Sequence, residues 1–130
     1  MRDNFMRRDW DVLREIMLAF EDNPETAIKS LRDVGFSLEE IYEHINMAIW
    51  ADLLFQPSVE ALTAEKQSFF NASITHYGRE FLSLIHSQEI WNEFLELISR
   101  NEDDLPMDMA WKILSEIVEN KIKDERSKDF

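Results

Sequence analysis

Apolar residues recur at helical spacing through most of this chain. Trp10, Leu13, Met17 and Phe20, widened by Ile16, form one stripe and predict a helix from Asp9. Asp9 and Asp11 put carboxylates in its first turn, where the helix dipole favours them, and Asn23-Pro24 ends it. Ile28, Leu31 and Val34 fall three apart. Residues 25–36 read as a short strand, with a short helix as the alternative, and Gly35 offers a turn conformation closed to other residues. Ser37-Leu38-Glu39-Glu40 has the form of a capping box, and Ile41, Ile45, Ala48, Ile49 and Leu53 follow at helical spacing. A second and a third helix are expected between Ser37 and Phe55, with a break near Glu43–Asn46.

Pro57 stops helical structure. Val59 and Leu62, then Phe69 to Thr75, predict a hairpin over 56–75 with a polar tip at Thr63–Ser68. Thr75 is a good N-cap for a long helix that carries Phe81, Leu82, Ile85, Trp91, Leu95 and Ile98 inward. A kink is expected at His86–Gln88 and an end near Arg100. After the acidic loop Asn101-Glu102-Asp103-Asp104, Leu105-Pro106 opens a last helix with Trp111, Leu114, Val118 and Ile122 on one face. The predicted class is mainly α: a winged helix-turn-helix-like domain with a small β-hairpin wing and added C-terminal helices. Residues 1–8 are expected to be a flexible N-terminus, 9–122 a single winged-helix-like domain and 123–130 a disordered tail.

Composition narrows the function classes. The 130 residues include four Trp and nine Phe within a 45% hydrophobic content, which is enough for a core and too aromatic for disorder. Two Gly and three Pro argue against a loop-rich or all-β protein. Without Cys, the chain has no disulfide and no thiolate chemistry, as suits a reducing cytoplasm. No apolar run reaches the length of a signal peptide or a membrane span, so a cytoplasmic protein is expected.

Catalytic chemistry is poorly provided for, and no enzyme activity, cofactor or metal is expected. The three His are far apart, and Gly35 and Gly78 stand alone rather than in a phosphate-cradling loop. His44 and Glu40 form an i,i+4 pair that could hold a metal weakly; a surface or capping role is the commoner use of such a pair.

The net charge of −13 bears most on partners. Duplex binding draws its affinity from Lys and Arg on phosphates. From Asp33 through Glu65 there is neither, while Asp33, Glu39, Glu40, Glu43, Asp52, Glu60 and Glu65 all fall there. That stretch contains both helices of a would-be reading head, and the wing tip adds only Lys66. Basic residues gather instead near the ends, at Arg2, Arg7, Arg8 and Arg14 and at Lys121, Lys123, Arg126 and Lys128, interleaved with acids in the manner of solvated, paired faces. Direct nucleic-acid binding is therefore not expected. A rigid array of carboxylates can instead imitate DNA phosphates and occupy the channel of a basic partner; the plainer reading of the same charge is solubility.

The four Trp are most simply core. Trp50 stands apart, because a helix that turns Ile45, Ala48, Ile49 and Leu53 inward turns Trp50 or Met47 outward. An exposed aromatic there would be a protein-binding anchor or a dimer contact.

Arg7-Arg8-Asp9-Trp10-Asp11-Val12-Leu13-Arg14-Glu15-Ile16 resembles the opening of a family of small bacterial and prophage proteins, the domain of unknown function numbered twenty-five thirteen. Glu40-Ile41-Tyr42-Glu43-His44-Ile45 is similar to its second-helix pattern. Ile74-Thr75, Gly78, Glu80-Phe81-Leu82 and Ile85 resemble its strand-to-helix signature, and Ile90-Trp91 and the Pro106 helix fit as well. The resemblance spans nearly the whole chain. It implies a winged-helix-like fold and a phage or mobile-element background, with no established activity. Two places depart from the pattern: His76 stands where an aromatic is frequent, and Asp52-Leu53-Leu54 where a Gly commonly follows the third helix.

The expected function is that of a non-enzymatic acidic phage or mobile-element protein acting by protein–protein binding. Its sharpest form is a DNA-mimic inhibitor of a host defence complex, of anti-CRISPR or anti-restriction type, whose partner is a basic host protein or nucleic-acid-binding complex. The alternative is a winged-helix transcriptional regulator, dimerising through its first and last helices. The candidate partner-binding residues are Glu39, Glu40, Glu43, Asn46, Met47, Trp50 and Asp52. A secondary acidic face comprises Glu89, Glu93, Glu96, Glu102, Asp103 and Asp104.

Overall fold

The computed structural model describes residues 9–56, 72–99 and 105–128. Their elements are α1 (Trp10–Asp22), α2 (Ala27–Asp33), α3 (Leu38–Trp50), β1 (Leu54–Phe55), β2 (Ser73–Ile74), α4 (His76–Ile85), α5 (Gln88–Ile98) and α6 (Met107–Lys128). The described residues are thus mainly helical, with one small antiparallel sheet among them in which Leu54 pairs with Ile74 and Phe55 with Ser73. The chain divides into two compact units, one ending at Arg79 and the other beginning at Glu80. The flexible start expected at 1–8, the wing tip at 63–68 and the acidic loop at 101–104 lie outside the described residues.

In the first unit, Asp9 caps α1: its carboxylate accepts the backbone N–H groups of Asp11 and Val12 at 3.0 and 3.3 Å. The stripe read from the sequence is the buried face, with Trp10, Leu13, Ile16, Met17 and Phe20 all inside. Ala27 and Leu31 of α2 are buried, and so are Ile41, Ile45 and Ala48 of α3. Side chains such as Ile41 and Ile45, fully withdrawn from water, contribute about 1.5–3 kcal/mol each to folding.

Residues 27–33 form a helix, not the strand preferred on sequence grounds. Ala27 and Leu31, one turn apart, share the buried face; a strand would have buried every second residue. The helix closes with a Schellman arrangement. The Gly35 N–H reaches the Arg32 carbonyl at 3.0 Å and the Phe36 N–H the Leu31 carbonyl at 3.2 Å, with Gly35 at φ 114°.

The two helices expected between Ser37 and Phe55 are one. No Gly or Pro interrupts the face made by Ile41, Ile45 and Ala48, so no break occurs at Glu43–Asn46. The capping box is present in full: Ser37 Oγ accepts the Glu40 N–H at 3.1 Å and Glu40 Oε1 accepts the Ser37 N–H at 3.2 Å. At its far end α3 repeats the Schellman closure, with Asp52 N–H to Ile49 O at 3.0 Å and Leu53 N–H to Ala48 O at 2.8 Å. The left-handed position falls on Asp52, at φ 65°. This ends the helix at Trp50 and frees Leu54 and Phe55 to form β1.

The start of α4 is fitted against this turn. Thr75 Oγ1 accepts the Gly78 N–H at 2.8 Å as an N-cap and donates to the Asp52 carbonyl at 2.5 Å. The Thr75 N–H bonds the Leu53 carbonyl at 3.1 Å. Any Cβ at Gly78 would fall against that same carbonyl oxygen, well inside contact distance. The strand-to-helix signature Thr75…Gly78 is therefore a close-approach motif.

In the second unit, Phe81, Leu82 and Ile85 are buried, as are Trp91 and Phe94 of α5 and Ala110, Leu114 and Ile117 of α6. The Phe81 and Trp111 rings stack with centroids 5.9 Å apart. The kink expected at His86–Gln88 is a complete break: Ser87 Oγ accepts the Ile90 N–H at 3.2 Å and starts α5 as a separate helix. Residues 123–128, expected as a disordered tail, continue α6. The run is rich in helix formers and gains an i,i+4 ion pair, Lys123 to Glu119 at 3.6 Å.

Candidate partner-binding site

One helix, α3, carries most of the candidate residues. Its inward face is Ile41, His44, Ile45 and Ala48. Its outward face follows from the same periodicity: Glu39 and Glu43, one turn apart, are exposed, Asn46 and Met47 on the next turn are half-buried, and Trp50 closes the row. Trp50 is 84% exposed, more than any other large hydrophobic side chain among the described residues. Asp52, exposed, follows in the left-handed turn, and Phe55 on β1 is 56% exposed. Trp50 is therefore not core, and the outward alternative raised by the sequence is the one realised.

Glu40 differs from its neighbours. It is half-buried and committed to the capping box, so it belongs to the helix start rather than to the open face. Glu39, Glu43 and Asp52 enter no ion pair among the described residues. Asp33, by contrast, is matched by Lys29 at 3.2 Å.

His44 is not a metal ligand in waiting. It is buried, its Nδ1 lies 2.9 Å from the Glu40 carbonyl and its Nε2 accepts the Asp9 N–H at 2.8 Å. Both ring nitrogens are used within the fold. Among the described residues no group of three or more His, Asp or Glu is placed to hold a metal ion. The bond to Asp9 spans 35 residues, so the local i,i+4 spacing of Glu40 and His44 carries no sign of it.

The secondary acidic face is partly neutralised. Lys121 of α6 reaches both Glu89 and Glu93 at 3.5 Å, binding α5 to α6. Desolvation pulls the Lys121 ammonium toward losing its proton. The charges of Glu89 and Glu93 and their hydrogen bonds outweigh this, so its pKa lies above the ordinary 10.5. Glu96 is exposed, and Glu102, Asp103 and Asp104 lie outside the described residues. Of the basic residues near the two ends, Arg14 is buried and Lys121 and Lys123 face carboxylates. No helix of the described residues is long and apolar enough to cross a membrane.

Residues 7–102 match the model of a family described as "Hypothetical protein (DUF2513)". The chain is also similar to an "Uncharacterized protein" of Haemophilus influenzae, 26% identical over 115 residues that cover 87% of this chain and 96% of the relative. No solved structure matches.

Proposed function

The chain belongs to the hypothetical-protein family DUF2513, and from that premise and the outward face of α3 we propose that it is a non-enzymatic protein of mobile-element type that acts by binding another protein. The sharpest form of the reading is a DNA mimic that occupies the nucleic-acid channel of a host defence complex. The order of α1, α2, α3 and the β1–β2 pair supports a winged helix, with the four residues from Val34 to Ser37 as the turn between α2 and α3. On that reading α3 would correspond to the helix that a DNA-binding winged helix places in the major groove.

One observation carries the proposal: α3 presents Glu39 and Glu43 on its open face and contains neither Lys nor Arg. Carboxylates so placed would repel a phosphate backbone and attract the basic surface that normally receives one. The same order of elements favours a second reading, a winged-helix regulator, and the charge opposes it.

The test is a pull-down from bacterial lysate at low and high salt, with and without nuclease. It compares the wild type with a Glu39→Lys, Glu43→Lys double variant. Glu40 is left alone because it closes the capping box. The expected result is a salt-sensitive protein partner that survives nuclease and is lost on the double reversal. A partner that the reversed protein retains overturns the proposal, and recovery of DNA, or of partners lost on nuclease treatment, favours the regulator.

A further inference from the structure

The carboxylates of α3 account for attraction but not for the indole beside them. Trp50 lies on the same row as Glu39 and Glu43, 84% exposed, at the point where α3 gives way to the Asp52 turn. Phe55, 56% exposed, follows on β1, which packs against α3. Folding gains almost nothing from an indole left in water, and the core of this unit is already filled by Phe20, Ile41, Ile45 and Leu53. Two large exposed aromatics fall within six residues, with the exposed Asp52 between them in sequence and the exposed Glu43 two turns before Trp50, so this end of α3 offers water both apolar and anionic side chains.

Three occupants could cover it, and charge separates them. A second copy placed across a two-fold axis would set Glu39, Glu43 and Asp52 against their own counterparts, on a chain that already carries −13. A nucleic-acid duplex would bring phosphates to the same carboxylates. A protein surface with arginines around an apolar recess meets both parts: guanidinium groups pair with carboxylates two bonds at a time and also stack on indole faces.

We propose that Trp50 is the anchor of this site and inserts into an apolar, arginine-rimmed recess of a partner protein, with Glu39, Glu43 and Asp52 pairing with the rim. This rests on reading α3 as the partner-binding helix and adds the chemistry of the partner. The acidic rim draws the partner in, and the indole sets how tightly it is held.

The test uses the full chain and two fluorescently labelled probe peptides of equal positive charge, one alternating Arg with Leu and the other Arg with Ser, read by anisotropy. The Arg/Leu peptide is expected to bind about tenfold more tightly, and Trp50→Ala to reduce it to the level of the Arg/Ser peptide. Trp50→Phe should keep most of the difference. An unchanged melting temperature in Trp50→Ala, expected for so exposed a side chain, shows that the fold is intact. If the two peptides bind equally, or Trp50→Ala keeps the preference, the anchor is overturned while the acidic-face reading stands. If neither peptide binds the wild type even at low salt, the acidic-face reading itself falls. A wild-type dimer in sedimentation that Trp50→Ala dissolves assigns the patch to a second copy and overturns the proposal, as does a labelled DNA duplex whose binding depends on Trp50.

Discussion

His44 Nε2 accepts the backbone N–H of Asp9 at 2.8 Å, across 35 residues of sequence. Because that N–H can only donate, Nε2 must be bare and the proton sits on Nδ1, which gives it to the Glu40 carbonyl at 2.9 Å. The ring thus ties the middle of α3 to the residue that caps α1. Replacing His44 with Leu keeps the bulk but leaves the Asp9 N–H without its acceptor. A loss of about 1–3 kcal/mol is expected in urea unfolding, the usual penalty for a stranded donor.

Gly78 sets how closely α4 approaches the end of α3. Alanine normally favours a helix over glycine by about 1 kcal/mol. Here its Cβ would meet the Leu53 carbonyl oxygen, a backbone atom that Thr75 also holds, and the Ile74 side chain at 3.0 Å. Gly78→Ala is therefore expected to destabilise by about 1–3 kcal/mol despite its better propensity, as overpacked sites do. A thermal melt settles the sign.

Asp52 occupies the left-handed position of the closure of α3, at φ 65°. A side chain there costs about 1 kcal/mol relative to glycine, somewhat less for Asp than for most residues. Asp52→Gly should raise the melting temperature, and Asp52→Val should lower it by more than glycine raises it. Thr75 bonds the Asp52 backbone carbonyl, not its carboxylate, so the glycine variant keeps the contact with α4.

Local signals were legible in the sequence, and distant ones were not. The capping box at Ser37–Glu40, the buried stripe of α1 and the N-cap at Thr75 are all written within four residues of themselves. Whether 25–36 was strand or helix turned on Ala27, too small to register in an apolar count yet buried one turn before Leu31. The end of α3 is not legible in the spacing, because Leu53 extends the helical pattern although a left-handed Asp52 has already turned the chain. In the candidate site, the outward row of α3 followed from periodicity. The pairing of Glu89 and Glu93 with Lys121 did not, since it depends on how α6 returns along α5.

That pairing gives a pH dependence with a definite sign. The Lys121 pKa is raised above 10.5 in the folded protein by Glu89 and Glu93, so protonation favours folding. The contribution is fully present below the unfolded value and is lost as pH rises through the raised one. The difference in melting temperature between wild type and Lys121→Met is expected to hold from neutral pH to about pH 10 and to shrink above it. Added salt should also reduce it, because the side chains are partly exposed. A difference that grows at alkaline pH would contradict the assignment.

The three glutamates of α3 carry the same charge but should respond differently to reversal. Glu40 is the third helical residue and accepts the Ser37 N–H, so Glu40→Lys removes half of the capping box and puts a cation on the positive end of the helix dipole. A loss of about 1–2 kcal/mol is expected. Glu39, also in the first turn, loses its dipole interaction, about 0.3–1 kcal/mol, partly offset because the same change removes its repulsion with Glu43. Glu43 lies beyond that turn and sits four residues after Glu39, a like-charge pair at present. A lysine in its place would follow a glutamate at i,i+4, the favourable order, and Glu43→Lys should stabilise by about 0.2–0.5 kcal/mol. Melting temperatures ranked Glu43→Lys, wild type, Glu39→Lys, Glu40→Lys from highest to lowest would confirm the division between cap and open face. Glu43→Lys is then the cleanest single probe of binding, since a partner lost on that change cannot be blamed on a weakened fold.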